Sequence, residues 1–205
     1  MKRVVSIMLA LFLFCISITA AEDAVFTHPE AGYGFTMPEG WEAADQQSVS
    51  DYFLTAPEGE DFLLLIRQII EAAEDLQFII LCEAEEGQPM FHVVISIISQ
   101  DLEVETDISE LILYYADTVD ETYMSMFPEY TVLQHMAPQD IGAWSAAVSG
   151  GDFQIDDLSY SIREVWLISG TELYEISLMT STELLDSYED ILYQIAETFF
   201  PPEMR

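Results

Sequence analysis

Four carboxylates recur at alternate positions in one short stretch: Asp101, Glu103, Glu105 and Asp107, with Leu102, Val104 and Thr106 between them. In an extended segment alternate residues point the same way. Such a segment would gather oxygen ligands of the kind that hard cations such as calcium take. The stretch lacks the Asp-x-Asp-x-Asp-Gly order of a calcium loop, and an acidic, solvated connection into a helix would produce the same pattern. Asp101, Glu103, Glu105 and Asp107 are therefore the metal candidates, and an acidic cation-binding protein is one function class the sequence raises.

Other reactive types are scattered. His28, His92 and His135 lie far apart, and none has the His-x-x-x-His spacing of a zinc helix. His92 falls in an apolar, strand-like stretch, where a hydrogen-bonded structural role is expected. Cys82 closes the run Phe78-Ile79-Ile80-Leu81 and reads as a buried, unreactive thiol, because no cationic or imidazole group accompanies it in that run. There is no Gly-x-Ser-x-Gly elbow and no phosphate-cradling glycine loop. Carboxylates are so abundant that composition cannot single out an acid–base pair. No catalytic residue and no cofactor is expected, and an enzyme ranks behind the binding readings.

The opening residues set the compartment. Lys2 and Arg3 precede an apolar run, Val4 to Ile18, and Thr19-Ala20-Ala21 follows with small side chains before Glu22 and Asp23. That order is a secretory signal peptide, and the run falls short of the ~20 residues a spanning helix needs. The expected division is a signal peptide at 1–20 and one domain at 21–205, secreted or extracytoplasmic, with no stable membrane span after cleavage. The 205-residue chain has 38 acidic residues against 5 Lys and Arg, for a formal charge of −33, and cleavage makes it two units more negative. Arg67, Arg163 and Arg205 are then the only cations, and there is no lysine or asparagine beyond Lys2. Binding to nucleic acid needs cations against phosphates, so it is excluded as a function class. Anionic membranes should repel such a chain. N-linked glycosylation has no acceptor.

The elements that must carry these residues follow from periodicity. Tyr33, Phe35 and Met37 alternate with small or polar residues before the turn Pro38-Glu39-Gly40 and Trp41. Residues 57 to 74 repeat apolar side chains at helical spacing. Gln77 to Glu83 and Met90 to Ser99 read as a strand pair, with Val93, Ile95 and Ile97 on one face and Val94, Ser96 and Ile98 on the other. A helix is predicted from about Asp107 to Met126, with Asp107 and Glu110 at capping-box spacing and Pro128 beyond its end. Strands follow at Tyr130 to His135 and Ala143 to Ser149, with a turn at Ser149-Gly150-Gly151-Asp152. A hairpin turns at Gly170-Thr171, joining Leu158–Ser169 to Glu172–Thr180. A last helix starts near Ser181 and is stopped by Pro201-Pro202. Short connections between consecutive strands make them antiparallel, and helices with one apolar stripe must cover the sheet. The fold class is α+β, an antiparallel β-sheet flanked by helices on its faces.

The segment Tyr33-Gly34-Phe35-Thr36-Met37-Pro38-Glu39-Gly40-Trp41 resembles the opening of PsbP-like domains. The closing segment Ile195-Ala196-Glu197-Thr198-Phe199-Phe200 fits the same plan. The resemblance implies an α/β/α sandwich over nearly the whole mature chain, and a mostly non-enzymatic family whose best-known member is an extrinsic subunit of the oxygen-evolving complex. That subunit docks with basic residues, whereas the mature chain here has no lysine, so no functional residue carries over. The expected function is a secreted, non-catalytic PsbP-like domain that binds an extracytoplasmic protein partner.

Overall fold

The computed structural model describes residues 24–44, 77–85, 88–127, 129–155 and 157–202. The signal segment 1–20 and the helix expected at 57–74 lie outside the described residues. Short strands β1 (Val25–Thr27) and β2 (Gly34–Thr36) pair as a separate antiparallel ribbon. The main sheet has seven strands: β3 (Trp41–Ala44), β4 (Gln77–Glu85), β5 (Gln88–Asp101), β6 (Thr131–Ile141), β7 (Trp144–Ile155), β8 (Leu158–Ser169) and β9 (Glu172–Ser181). Their order across the sheet is β3-β4-β5-β9-β8-β7-β6, and every pairing is antiparallel. Helix α1 (Ile108–Met126) leads from β5 to β6, and α2 (Leu185–Thr198) follows β9.

The two helices cover opposite faces, and strand alternation decides what each meets. Val93, Ile95 and Ile97 of β5 join Val165, Leu167, Ile176 and Leu178 in the cluster under α2, which contributes Leu192 and Ile195. Tyr33, Phe35 and Trp41 close that layer, with Tyr33 stacked on Phe199. Val94 faces the other way, with Ile80, Cys82, Ile162 and Met179, toward Phe127 at the end of α1. Ile108 and Leu111 of α1 sit on Met136, Ala147 and Trp166. Cys82 is fully buried, as its apolar run implies.

Local chemistry sets the boundaries. The Asp107 side chain accepts from the Glu110 N–H at 2.9 Å and starts α1, while the Phe127 N–H donates to the Tyr123 carbonyl at its end. Gly170 turns the β8–β9 hairpin at φ 65°, a conformation glycine adopts without steric cost. Two connections differ from the periodicity reading. β6 runs through Pro138 to Ile141, and β7 runs through Gly150-Gly151 to Ile155. Pro138 is tolerated because β6 is an edge strand and need donate on one side only. Gly150 and Gly151 are not a turn; they admit neighbours. A Cβ on Gly151 would lie 2.5 Å from the Tyr130 ring, and one on Gly150 2.8 Å from Arg163 Cδ. The final helix begins at Leu185, after a short turn beyond Ser181.

Candidate functional site

Beneath α1 the sheet carries a polar cluster in an apolar layer. On β8, Glu164 sits between Ile162 and Trp166 in the alternation that faces α1, and it is 1% exposed. Its cross-strand neighbours are Ser149 on β7 and Ser177 on β9. Ser149 Oγ donates to Glu164 Oε2 at 2.5 Å and accepts from Trp166 Nε1 at 3.0 Å. The Tyr123 hydroxyl reaches down from α1 and donates to Glu164 Oε1. Ser177 Oγ lies 2.9 Å from Glu175 Oε1 and 3.4 Å from Glu164 Oε1. Glu175, the register partner of Trp166, hydrogen-bonds Glu164.

Two carboxyl groups in contact inside a protein resist full ionisation. Burial, and then the charge of Glu164, pushes Glu175 up to about 8. Burial raises Glu164 as well, while hydrogen bonds from Ser149 and Tyr123 pull the other way. The same burial and the neighbouring carboxylates raise the phenols of Tyr123 and Tyr130, keeping both protonated, Tyr123 as the donor to Glu164. Arg163 cannot neutralise the pair. It lies on the opposite face of the sheet, where it donates to the Gly151 and Ile162 carbonyls and pairs with Asp152 and Glu189.

The three histidines do not meet. His28 Nδ1 accepts from the Ala31 N–H at 2.9 Å and closes the β1–β2 loop. His135 Nδ1 lies 2.5 Å from Asp120 Oδ2, tying β6 to α1. His92 Nε2 lies 3.0 Å from Glu83 Oε2 and 3.1 Å from the Tyr188 hydroxyl, which itself donates to Glu83. A register shift between Leu81 and Glu83 in the β4–β5 pairing turns His92 toward α2, away from the layer that holds Cys82. Cys82 and His92 are therefore on opposite faces.

The acidic run takes a bent path. Asp101 Oδ1 accepts from the Glu103 N–H at 2.8 Å, and Glu103 has φ 61°. The backbone leaves the extended form there, so alternate residues of the run do not line one face. All four carboxylates are exposed, and Asp107 is engaged as the helix cap. Glu105 and Asp107, with Glu110, Trp144 and Ile168, line an open cleft of about 470 Å³ at the start of α1. Among the described residues, no three His, Cys, Asp or Glu side chains are grouped to hold a metal ion.

The outward side of α1 is unusual in another way. Glu110, Tyr114, Asp117 and Glu121 follow at spacings of four, three and four, so they form one solvent-facing stripe. Tyr114 is 70% exposed, and beside the stripe Leu113 is 76% and Met124 55% exposed. The helix carries no basic residue.

The fold has a solved counterpart. Cyanobacterial PsbP (CyanoP) from Synechocystis sp. PCC 6803 superposes with a TM-score of 0.53 at 11% identity, over 87% of this chain and 91% of that one. The fold is PsbP-like. PA94 from Pseudomonas aeruginosa, a protein of unknown function, aligns at TM-score 0.48 and 13% identity over 87% of this chain and 96% of its own. LpqN of Mycobacterium tuberculosis, involved in cell envelope biogenesis, aligns at 0.44 and 11% over 87% and 90%. No family model and no curated protein matches the sequence. Within the PsbP-like fold, the expected α+β sandwich stands. Sequence reasoning missed Glu164, Glu175 and Tyr123. A usable signal existed, since Glu164 occupies an inward position between Ile162 and Trp166. What made it a cluster was the pairing of three strands and a helix.

Proposed function

We propose that this chain is a non-catalytic, extracytoplasmic PsbP-like module that binds a basic protein partner through the outward side of α1. The observation that carries the reading is the set of exposed large apolar side chains, Leu113, Tyr114 and Met124, standing beside the carboxylates of Glu110, Asp117 and Glu121. Solvated helix faces are ordinarily polar, and clustered apolar exposure marks contact surfaces. Tyrosine and methionine are enriched at interfaces, and a tyrosine loses little rotamer freedom on docking. The carboxylate stripe selects the partner's charge. A cationic surface gains from it, whereas a second copy of a chain with formal charge −33 is repelled. The signal-like opening residues support an extracytoplasmic setting.

The test is photo-crosslinking in the producing cell, with benzoylphenylalanine placed at Leu113 in one strain and at Leu158 in another. Leu158 is a fair control because it is 61% exposed and belongs to β8 rather than to the proposed contact stripe on α1. A discrete adduct from position 113 that is absent at 158, and whose partner is basic, supports the reading. Equal adducts at both positions, or a self-adduct, contradict it.

A further inference from the structure

We propose that Glu164 and Glu175 form a one-proton latch: a single proton held between them lets α1 seat on the sheet, and its loss lifts the C-terminal half of α1. The latch stands independently of what α1 binds.

The geometry assigns the proton. Glu164 accepts from the Tyr123 hydroxyl and from Ser149 Oγ at 2.5 Å, and Ser177 Oγ lies between the two carboxyl groups, 2.9 Å from Glu175 Oε1 and 3.4 Å from Glu164 Oε1. That environment suits a carboxylate. Glu175 contacts the same carboxylate, and its neutral acid supplies a further donor to it. The arrangement is a carboxylic acid bonded to a carboxylate, with one negative charge in the buried layer. Removing the proton places two charges side by side, one of them on the fully buried Glu164 and the other on the half-buried Glu175.

Among the described residues, the surrounding titratable groups add no compensating cation. From α1 the pair faces Tyr123, and Asp120 lies one turn away. Asp120 is bonded to His135 of β6, whose imidazole is exposed on the far side of that contact. Tyr130, ahead of β6, packs over Gly151 and feels both Glu164 and Asp120. On β7 the facing group is Ser149, and Asp152 points to the opposite face with Arg163. On β5 the register partners of Ser177 and Glu175 are Ser96 and Ile98, neither of which titrates. Among the described residues, Tyr123 is the direct link from helix to pair, so repulsion within the pair reaches α1 through that side chain. Its neighbours Phe127, Phe153 and Tyr160 form a stacked apolar layer that opening would expose.

The sign follows from linkage. The seated state binds one proton more than the open state wherever the pH lies between the ordinary carboxylate range and about 8. Rising pH therefore favours opening, about tenfold per pH unit for one proton, and the effect levels off once the seated pair has also ionised. Below the ordinary carboxylate range both states are protonated and the seat is fully stable.

The experiment is amide hydrogen exchange of the mature protein between pH 5 and pH 9, with rates corrected for intrinsic pH dependence. Protection at Val119 to Tyr123 should fall about a hundredfold between pH 6 and pH 8, while the β8–β9 amides hold theirs. Glu175→Gln keeps a neutral donor beside Glu164 and should flatten that dependence. An identical pH dependence in wild type and Glu175→Gln would overturn the latch, as would a loss of protection spread evenly over the sheet. Side-chain carboxyl NMR of the unmodified protein decides the matter even if the variant does not fold. One glutamate titrating near 8 supports the latch, and every glutamate titrating in the ordinary range overturns it.

Discussion

Gly34→Ala should unfasten the chain's C-terminal end from the β1–β2 ribbon. Gly34 exchanges two backbone hydrogen bonds with Phe200, at 2.9 and 2.8 Å. A Cβ at position 34 would lie 2.5 Å from the Phe26 carbonyl oxygen and collide with the Phe200 ring. The first neighbour is backbone and cannot swing away. Overpacking of this kind costs about 1–3 kcal/mol, and losing two backbone hydrogen bonds adds about 1 kcal/mol each. The expected loss is about 3–5 kcal/mol, a large share of the 5–15 kcal/mol typical of a domain. For a domain of this size that lowers Tm by roughly 6–20 °C. Urea unfolding and calorimetry on Gly34→Ala, Phe200→Ala and the double variant measure it. Phe200→Ala removes the ring from the collision, so the double variant should be more stable than additivity predicts by about 1 kcal/mol or more. A Tm within about 3 °C of wild type for Gly34→Ala, or strict additivity, would show that the backbone at Phe26 and Phe200 yields to a methyl group.

Three further outcomes are expected. Tyr33 is fully buried, and its hydroxyl finds no hydrogen-bond partner among the described residues; Tyr33→Phe should leave Tm unchanged or raise it, with a gain of up to ~1–3 kcal/mol, and a clear loss in calorimetry would show that the hydroxyl is satisfied. Added sodium chloride should raise Tm by screening the repulsion of a chain at −33, and a flat or falling Tm across rising ionic strength would count against a dominant repulsion. Calorimetric titration with calcium should give no saturable heat, since Asp101 and Asp107 are engaged with backbone N–H groups and the run is bent at Glu103; a stoichiometric isotherm lost on Glu105→Gln would reverse that expectation.

Much of the architecture is legible in local pattern. The β8–β9 hairpin is written in alternation broken at Gly170, and α1 in three- and four-residue spacing behind Asp107. The split of β5 into Val93, Ile95 and Ile97 against Val94 is readable for the same reason. What escapes local reading depends on distant partners. Pro138 and Gly150-Gly151 look like chain breakers, yet an edge position tolerates the first, and the close approach of Tyr130 and Arg163 requires the others. The turning of His92 toward Glu83 and Tyr188 comes from a register shift between β4 and β5, which has no signature within either strand. Glu164 and Glu175 are eleven positions apart in a chain full of carboxylates, and only the pairing of β8 with β9, which sets them diagonally across the ladder beneath Tyr123, distinguishes them from solvated neighbours.

The central claim is that α1 presents a contact surface for a basic protein. Its most direct test takes the partner crosslinked at Leu113 and measures its affinity for the unmodified protein and for a Leu113→Ser/Met124→Ser variant, at two salt concentrations. Binding should be at least tenfold weaker for the variant at both salt concentrations, and binding by the unmodified protein should weaken as salt rises. Affinity equal for both proteins, or insensitive to salt, would contradict the claim.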